Sequence, residues 1–213
     1  MNVIFEDKEI IVVFKPSGVQ SEESEKPNMV TCIKQYTKSD SVYTVHRLDK
    51  ETCGLMVYAK TKNTAASLTK EITSGEFKKE YYAVAEGTTE KGGMLENLLW
   101  HDKTKNKTYV VKRERKGVKS ARLSYTTLGT AVFEGLPVSL IKINLQTGRT
   151  HQIRVQFANI RHPLLGDRKY GGKVNCELAL CCTKLSFMHP TLKKIIEFRL
   201  PPEKKDAFKC FDY

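Results

Sequence analysis

Five consecutive apolar residues, Ile10 to Phe14, end at Lys15-Pro16-Ser17-Gly18. The pattern reads as a buried strand running into a turn, because proline cannot continue a ladder and glycine admits positive φ. Gln20 to Asn28 is polar, carries Pro27 and reads as a loop, and Leu55 to Ala59 is a second buried strand. From Lys62 to Ser74 the apolar positions Ala65, Leu68 and Ile72 approach helical spacing, which predicts a helix closed by Gly75. Tyr81 to Ala85 is then the next strand.

Glu86 to Gly93 is rich in turn formers and is expected to end as a turn at Gly92-Gly93. Arg122 to Leu128 and Val138 to Leu145 alternate in the manner of half-buried strands, and Thr147-Gly148 breaks the second. Thr150 is placed to cap a helix with Ile153, Phe157 and Ile160 on one face and Arg154 near its flank. Leu178 to Phe187 and Ile195 to Leu200 supply later strands, and Pro201-Pro202 ends the last. There is no internal repeat, low-complexity tract or clear linker, so the 213 residues read as one α+β unit large enough to bury a core.

Six cysteines without a CxxC pair fit a reducing compartment, and the first residues carry acids where a signal peptide would be basic. The apolar run near the start is too short to span a bilayer, so a cytoplasmic protein without membrane contact is expected. Lysine and arginine outnumber the acids 36 to 24, a formal charge of +12. That excess favours a polyanionic partner through phosphate neutralisation, although charge alone fits general solubility equally well. Its placement adds weight to nucleic acid: cations bunch from Lys103 to Arg122 around a Tyr-Val-Val alternation, which predicts a strand hairpin with a turn near Gly117.

Three stretches carry candidate chemistry. In YTVHRLDKETCGLMVYAKT, Arg47 and Asp49 occupy alternate positions, so a guanidinium and a carboxylate can share one small site if the segment is extended. By itself such a pair is ordinarily a surface ion pair or a turn former. Glu51 raises the thought of paired carboxylates, but neighbours two apart do not establish the separation a glycosidase needs. FKKEYYAVAEG is a basic turn entering a strand, and strand tyrosines are usually core or cross-strand partners. In LQTGRTHQIRVQFANIRHPLLGDRKYGG, Gly148 and Arg149 at a helix start offer amide donors and a cation to a phosphate, while His151 reads as a hydrogen-bonding partner. Cys176, Cys181, Cys182 and His189 meet no usual zinc spacing, and no metal is expected.

The first of these stretches resembles the active-site motif of the RluA-type pseudouridine synthases: His-Arg-Leu-Asp, two variable residues, Thr, a small residue, Gly and an apolar run. Cys53 stands where Ser is usual. Phe14 to Gly18, the Lys79, Tyr81, Ala83 block, and Leu145 to Gly172 resemble further blocks of the same family in the same order. So does Leu180 to Pro190, with Cys181-Cys182 in place of the usual His-Ala. The resemblance implies the family's fold, a curved, mixed and mainly antiparallel sheet with flanking helices and a central RNA-binding cleft, in one catalytic domain of two lobes over 1–213 without the S4 RNA-binding domain of many relatives.

It also implies that the chain isomerises uridine in rRNA or tRNA to pseudouridine with no cofactor, as a monomer. Asp49 would act as nucleophile on a flipped-out uridine, with Tyr81 stacked on the base and Arg154 as partner of the carboxylate. Arg47 would fill the vacated space, Leu180 would wall the base, and Arg149, His46 and Thr52 would complete the substrate contacts. Two other classes remain open, a non-catalytic RNA-binding or ribosome-assembly module and a carboxylate glycosidase that would release free uracil.

Overall fold

The computed structural model describes residues 1–202 and 207–211. It is an α+β structure whose strands are mostly antiparallel, with three α-helices among the described residues. The chain divides into two compact units, one comprising Met1–Lys79 and Cys181–Pro201, the other Glu80–Leu180 and Pro202–Tyr213.

The first unit begins with strands β1 (Asn2–Glu6) and β2 (Ile10–Lys15), an antiparallel pair. Helix α1 (Met29–Thr37) follows, capped by the Asn28 side chain, which accepts from Thr31 N–H at 2.8 Å. The short β3 (Tyr43–Thr44) and β4 (Cys53–Ala59) pair antiparallel, and β4 also pairs antiparallel with β2. All seven residues of β4 are buried, as expected for a strand covered on both faces. Helix α2 (Lys62–Ser74) has the predicted bounds and ends on Gly75, but its buried face is Thr64, Leu68 and Glu71 rather than Ala65, Leu68 and Ile72. Glu71 can turn inward because its carboxylate accepts the Met188 backbone N–H at 2.8 Å.

Strand β5 (Lys78–Glu86) leads into the second unit, which continues with β6 (Gly92–Asp102), β7 (Lys107–Val111), β8 (Val118–Phe133) and β9 (Leu136–Leu145). Spatial order is β5-β9-β8-β6-β7. The expected hairpin between the strands flanking Gly117 is therefore corrected: β7 and β8 lie on opposite sides of β6 and pair with it, not with each other. Strand β6 escapes the sequence reading because its first residues are Gly92-Gly93, which belong to the strand and not to a turn. A β-carbon on Gly92 would stand 2.9 Å from the Tyr125 carbonyl oxygen, so close strand approach explains the residue.

Helix α3 (Gln152–Asn159) differs from expectation in its cap and its faces. Its N-cap is His151 in the left-handed conformation (φ 53°), with no side-chain cap bond, and not Thr150. Every residue from Gln152 to Phe157 is buried, so Arg154 lies inside the unit rather than at a flank. After a single 3₁₀ turn at Arg168–Tyr170 the chain returns to the first unit through β10 (Leu180–Met188), which pairs parallel with β4, and β11 (Ile195–Arg199), antiparallel to β10.

Candidate functional site

In the first unit the candidate residues sit on the segment that joins β3 to β4. The stretch from Val45 to Lys50 is not a strand, yet burial alternates: His46 and Leu48 point inward, Arg47 is exposed and Asp49 is partly exposed. The inward pair is firmly tied. Ser21 Oγ accepts from the Leu48 N–H at 3.0 Å and donates to the Leu48 carbonyl at 2.8 Å, so the residue before Asp49 is held from both sides of its backbone. His46 Nε2 accepts from the Val57 N–H at 3.2 Å, which leaves the proton of the neutral ring on Nδ1. Burial, reinforced by the Lys79 ammonium, holds that imidazole well below its ordinary pKa, and burial likewise lowers Lys79.

Asp49 begins a tight turn in which its carbonyl accepts from the Thr52 N–H at 3.0 Å. The Lys15-Pro16-Ser17-Gly18 motif braces this turn. Lys15, fully buried, donates from Nζ to the carbonyls of Val19 (2.7 Å), Pro16 and Lys50 (both 3.0 Å), and Gly18 N–H also donates to Lys50 O at 2.9 Å. Ser17 Oγ donates to Glu51 O at 2.9 Å. A buried ammonium is tolerated here because three carbonyl dipoles replace its water.

Beyond the turn, Gly54 has φ 123°, and a β-carbon there would fall 2.3 Å from the Cys182 carbonyl oxygen of β10. Only glycine allows that approach. Thr52 is buried, and its Oγ1, like His46 Nδ1, has no hydrogen-bond partner among the described residues. Arg47 Nη1 pairs with Glu22 Oε2 at 3.1 Å, both side chains more than half exposed (57% and 56%).

In the second unit, Tyr81 is buried on β5 and Leu180 is buried at the start of β10. The entry to α3 is organised by Gln152, whose Oε1 accepts from the Arg149 N–H at 3.1 Å and from Thr147 Oγ1 at 2.8 Å. Arg149 Nε donates to the Ser120 carbonyl at 3.0 Å. Arg154 makes a bidentate pair with Asp167, Nε to Oδ2 at 2.7 Å and Nη2 to Oδ1 at 2.8 Å, with side-chain exposures of 5% and 0%. Its guanidinium also lies 5.3 Å from the centre of the Tyr170 ring.

Tyr170 Oη accepts from the Thr108 N–H at 2.8 Å and lies 2.9 Å from His151 Nδ1. Burial, and then the charges of Arg154 and Lys169, push the His151 pKa down to about 3, so the ring is neutral. Asp167 itself sits in a closed loop, its carbonyl accepting from Tyr170 N–H (3.1 Å) and Gly172 N–H (2.8 Å). Gly166 precedes it at φ 78°, where a β-carbon would meet the Glu177 carbonyl oxygen at 2.5 Å.

Residues 9–159 match the sequence model of RNA pseudouridylate synthases, a span that includes the Asp49 turn and the arginine helix. The chain belongs to the RNA pseudouridylate synthase family. It is 32% identical to an uncharacterized RNA pseudouridine synthase of Aquifex aeolicus over 98% of this chain and 71% of the relative. It is 31% identical to ribosomal large subunit pseudouridine synthase D of Vibrio cholerae, over 94% and 67%. The fold is shared with human RNA pseudouridylate synthase domain containing 1, at a TM-score of 0.79 and 21% identity, covering 94% of this chain and 82% of that one. The chain is accordingly an isomerase that converts uridine in RNA to pseudouridine.

As an RNA pseudouridine synthase it has no helix among the described residues that is long and apolar enough to cross a membrane. His46, Arg47, Asp49 and Thr52 fall in the first compact unit, and Tyr81, Arg149, Arg154 and Leu180 in the second. Three supporting residues were not singled out by the sequence reading. Asp167 and Tyr170 fix Arg154, and Ser21 fixes the residue before Asp49. The first two lie within a motif that was visible, Gly-Asp followed by Tyr-Gly-Gly, while an isolated serine in a polar loop gives no signal.

Proposed function

We propose that Asp49 is the nucleophile of this synthase and that the whole chain works as one catalytic domain, a monomer acting in the cytoplasm on ribosomal or transfer RNA without a cofactor. The reaction cleaves the bond from uracil N1 to ribose C1′, turns the base, and joins C5 to C1′; C5 loses its proton and N1 gains one, so the net change is an isomerisation. A carboxylate can hold the intermediate through that exchange, provided the uridine has been flipped out of its stack.

The observation that carries the reading is the posture of residues 46–49: His46 and Leu48 buried and anchored by hydrogen bonds, Asp49 partly exposed at the start of a braced turn. Tyr81 stacks on the uracil and relays the proton, Leu180 walls the base, and Arg154 keeps the carboxylate ionised. Arg47 is suited to fill the vacated space, since its ion pair with Glu22 lies largely in water. His46 Nδ1 and Thr52 Oγ1 are suited to the substrate's polar edge, and Arg149 to a phosphate.

The similarity to a protein named for the large ribosomal subunit makes ribosomal RNA the first substrate to test. Pseudouridine mapping of total RNA from cells with and without the gene should lose one or a few sites in ribosomal or transfer RNA. An unchanged map would reject the proposed substrates. The loop from Lys112 to Lys116 is exposed, with Arg115 4.8 Å over the Trp100 ring, and supplies part of the RNA footprint. Reversing Lys112, Arg113 and Arg115 to glutamate should weaken RNA binding across sequences and flatten its salt dependence by about three phosphate contacts. Equal affinity over a salt series would remove the loop from the interface.

A further inference from the structure

The parallel pairing of β4 with β10 sets Cys53 opposite Cys181. Both are thiols, with exposures of 0% and 1%. Adjacent strands run about 4.8 Å apart and facing residues project to the same side, within the ~4.4–6.8 Å Cα separation that a disulfide spans. The next pair in the register is Gly54 with Cys182, and the contact between Gly54 and the Cys182 backbone is too close for the strands to slip. Cys182, one residue on, projects to the opposite face of the strand. The register thus selects one pair out of six cysteines.

We propose that Cys53 and Cys181 form a thiol–disulfide site through which a peroxide changes the shape of the catalytic turn. One thiolate attacks the O–O bond of hydrogen peroxide, giving a sulfenic acid and, after protonation of the leaving hydroxide, water. The second thiolate attacks that sulfur, the S–S bond forms, and a second water leaves. Two thiols are oxidised as one peroxide is reduced, and a dithiol reverses the step.

The position gives the bond its effect. Cys53 lies four residues after Asp49, and Cys181 directly follows Leu180. Facing β-carbons stand about 4.5–5.5 Å apart in a sheet, whereas a disulfide holds them near 3.8 Å, so closure draws β4 toward β10 by roughly 1 Å, within a range of about 0.7–1.7 Å. A misplacement of that size near reacting groups costs up to ~10²-fold in rate. This consequence rests on the function proposed above, while formation of the bond does not. Because both thiols are buried, the linkage waits on local opening and forms after oxidation at the exposed Cys32 and Cys210.

The test uses the purified full chain, treated with hydrogen peroxide and cut with trypsin without reduction. The expected product joins Glu51–Lys60 to Val174–Lys184, lighter than their sum by two hydrogens, with fragmentation placing the bond at Cys181. Turnover on RNA should fall roughly tenfold or more and return with dithiothreitol. Cys53→Ser, the residue usual in the family's motif, should keep basal turnover and show neither linkage nor inactivation. No linked peptide once Cys32 and Cys210 are fully oxidised, a bond to Cys176 or Cys182, or equal inactivation of Cys53→Ser would each overturn the proposal. A chain without turnover on any RNA would remove the function proposed above, and the linked peptide would still decide the thiol pair.

Discussion

Two arginines, one in each unit, are paired with acids in opposite ways. Arg47 meets Glu22 at 3.1 Å with both side chains largely in water, while Arg154 meets Asp167 through two short bonds in the interior. The exposed pair gains little over hydration and can open at small cost. The buried pair cannot separate without leaving a charge unsolvated, so its geometry is fixed before any RNA arrives. Under the roles proposed above, an arginine that moves with a flipping base and one that holds a constant field call for different surroundings, and the two ion pairs differ in that sense.

The sharpest way to break this contrast is Asp167→Ala, which strands the Arg154 charge and should cost about 3–5 kcal/mol in urea unfolding. A variant as stable as the parent would mean that Arg154 does not depend on its acid. A smaller effect comes from His151, beside the same arginine. In the unfolded chain it titrates near 6.5, but in the fold only at about 3.

Between those values the unfolded state takes up a proton that the native state refuses. The contribution of His151 to stability is thus intact above pH 6.5 and declines as pH falls toward 3, by about 1.4 kcal/mol per pH unit. His46, lowered in the same direction, adds to the slope. His151→Asn, which tolerates the left-handed cap, should flatten the acid limb of the stability profile. An unchanged slope would place the titration elsewhere. Smallest of all, Arg47→Ala should change stability by less than ~0.5 kcal/mol while raising KM for RNA more than it lowers kcat. Loss of stability comparable to that of Asp167→Ala would erase the distinction.

How much of this is legible in the sequence depends on range. Strands β2 and β4 announce themselves as apolar runs, β9 by its alternation, and α2 by its spacing and its closing glycine, because those signals are local. Strand β6 does not, since Gly92-Gly93 looks like a turn until Tyr125 of the neighbouring strand is in place. The misread hairpin has the same origin: the cations around Gly117 are correctly an exposed loop, but which strand each flank pairs with is decided by β6, which is not visible. Asp49 stands out through its motif, whereas the brace of Lys15 on Lys50 spans 35 positions and the side of Arg154 facing Asp167 requires a helix buried all round. The pattern marks Lys15 only as the end of a strand entering a turn, and the converging carbonyls of Pro16, Val19 and Lys50, which account for its burial, come from two separate segments of the chain.

The claim on which the rest depends is that the Asp49 carboxylate carries the reaction from its braced turn. The direct measurement is single-turnover pseudouridine formation by purified Asp49→Asn on the RNA that the wild-type chain modifies, with RNA affinity measured in parallel. The expected result is unchanged affinity within about twofold and product formation reduced by at least ~10³-fold. Product formed at a rate near that of the parent would contradict the assignment.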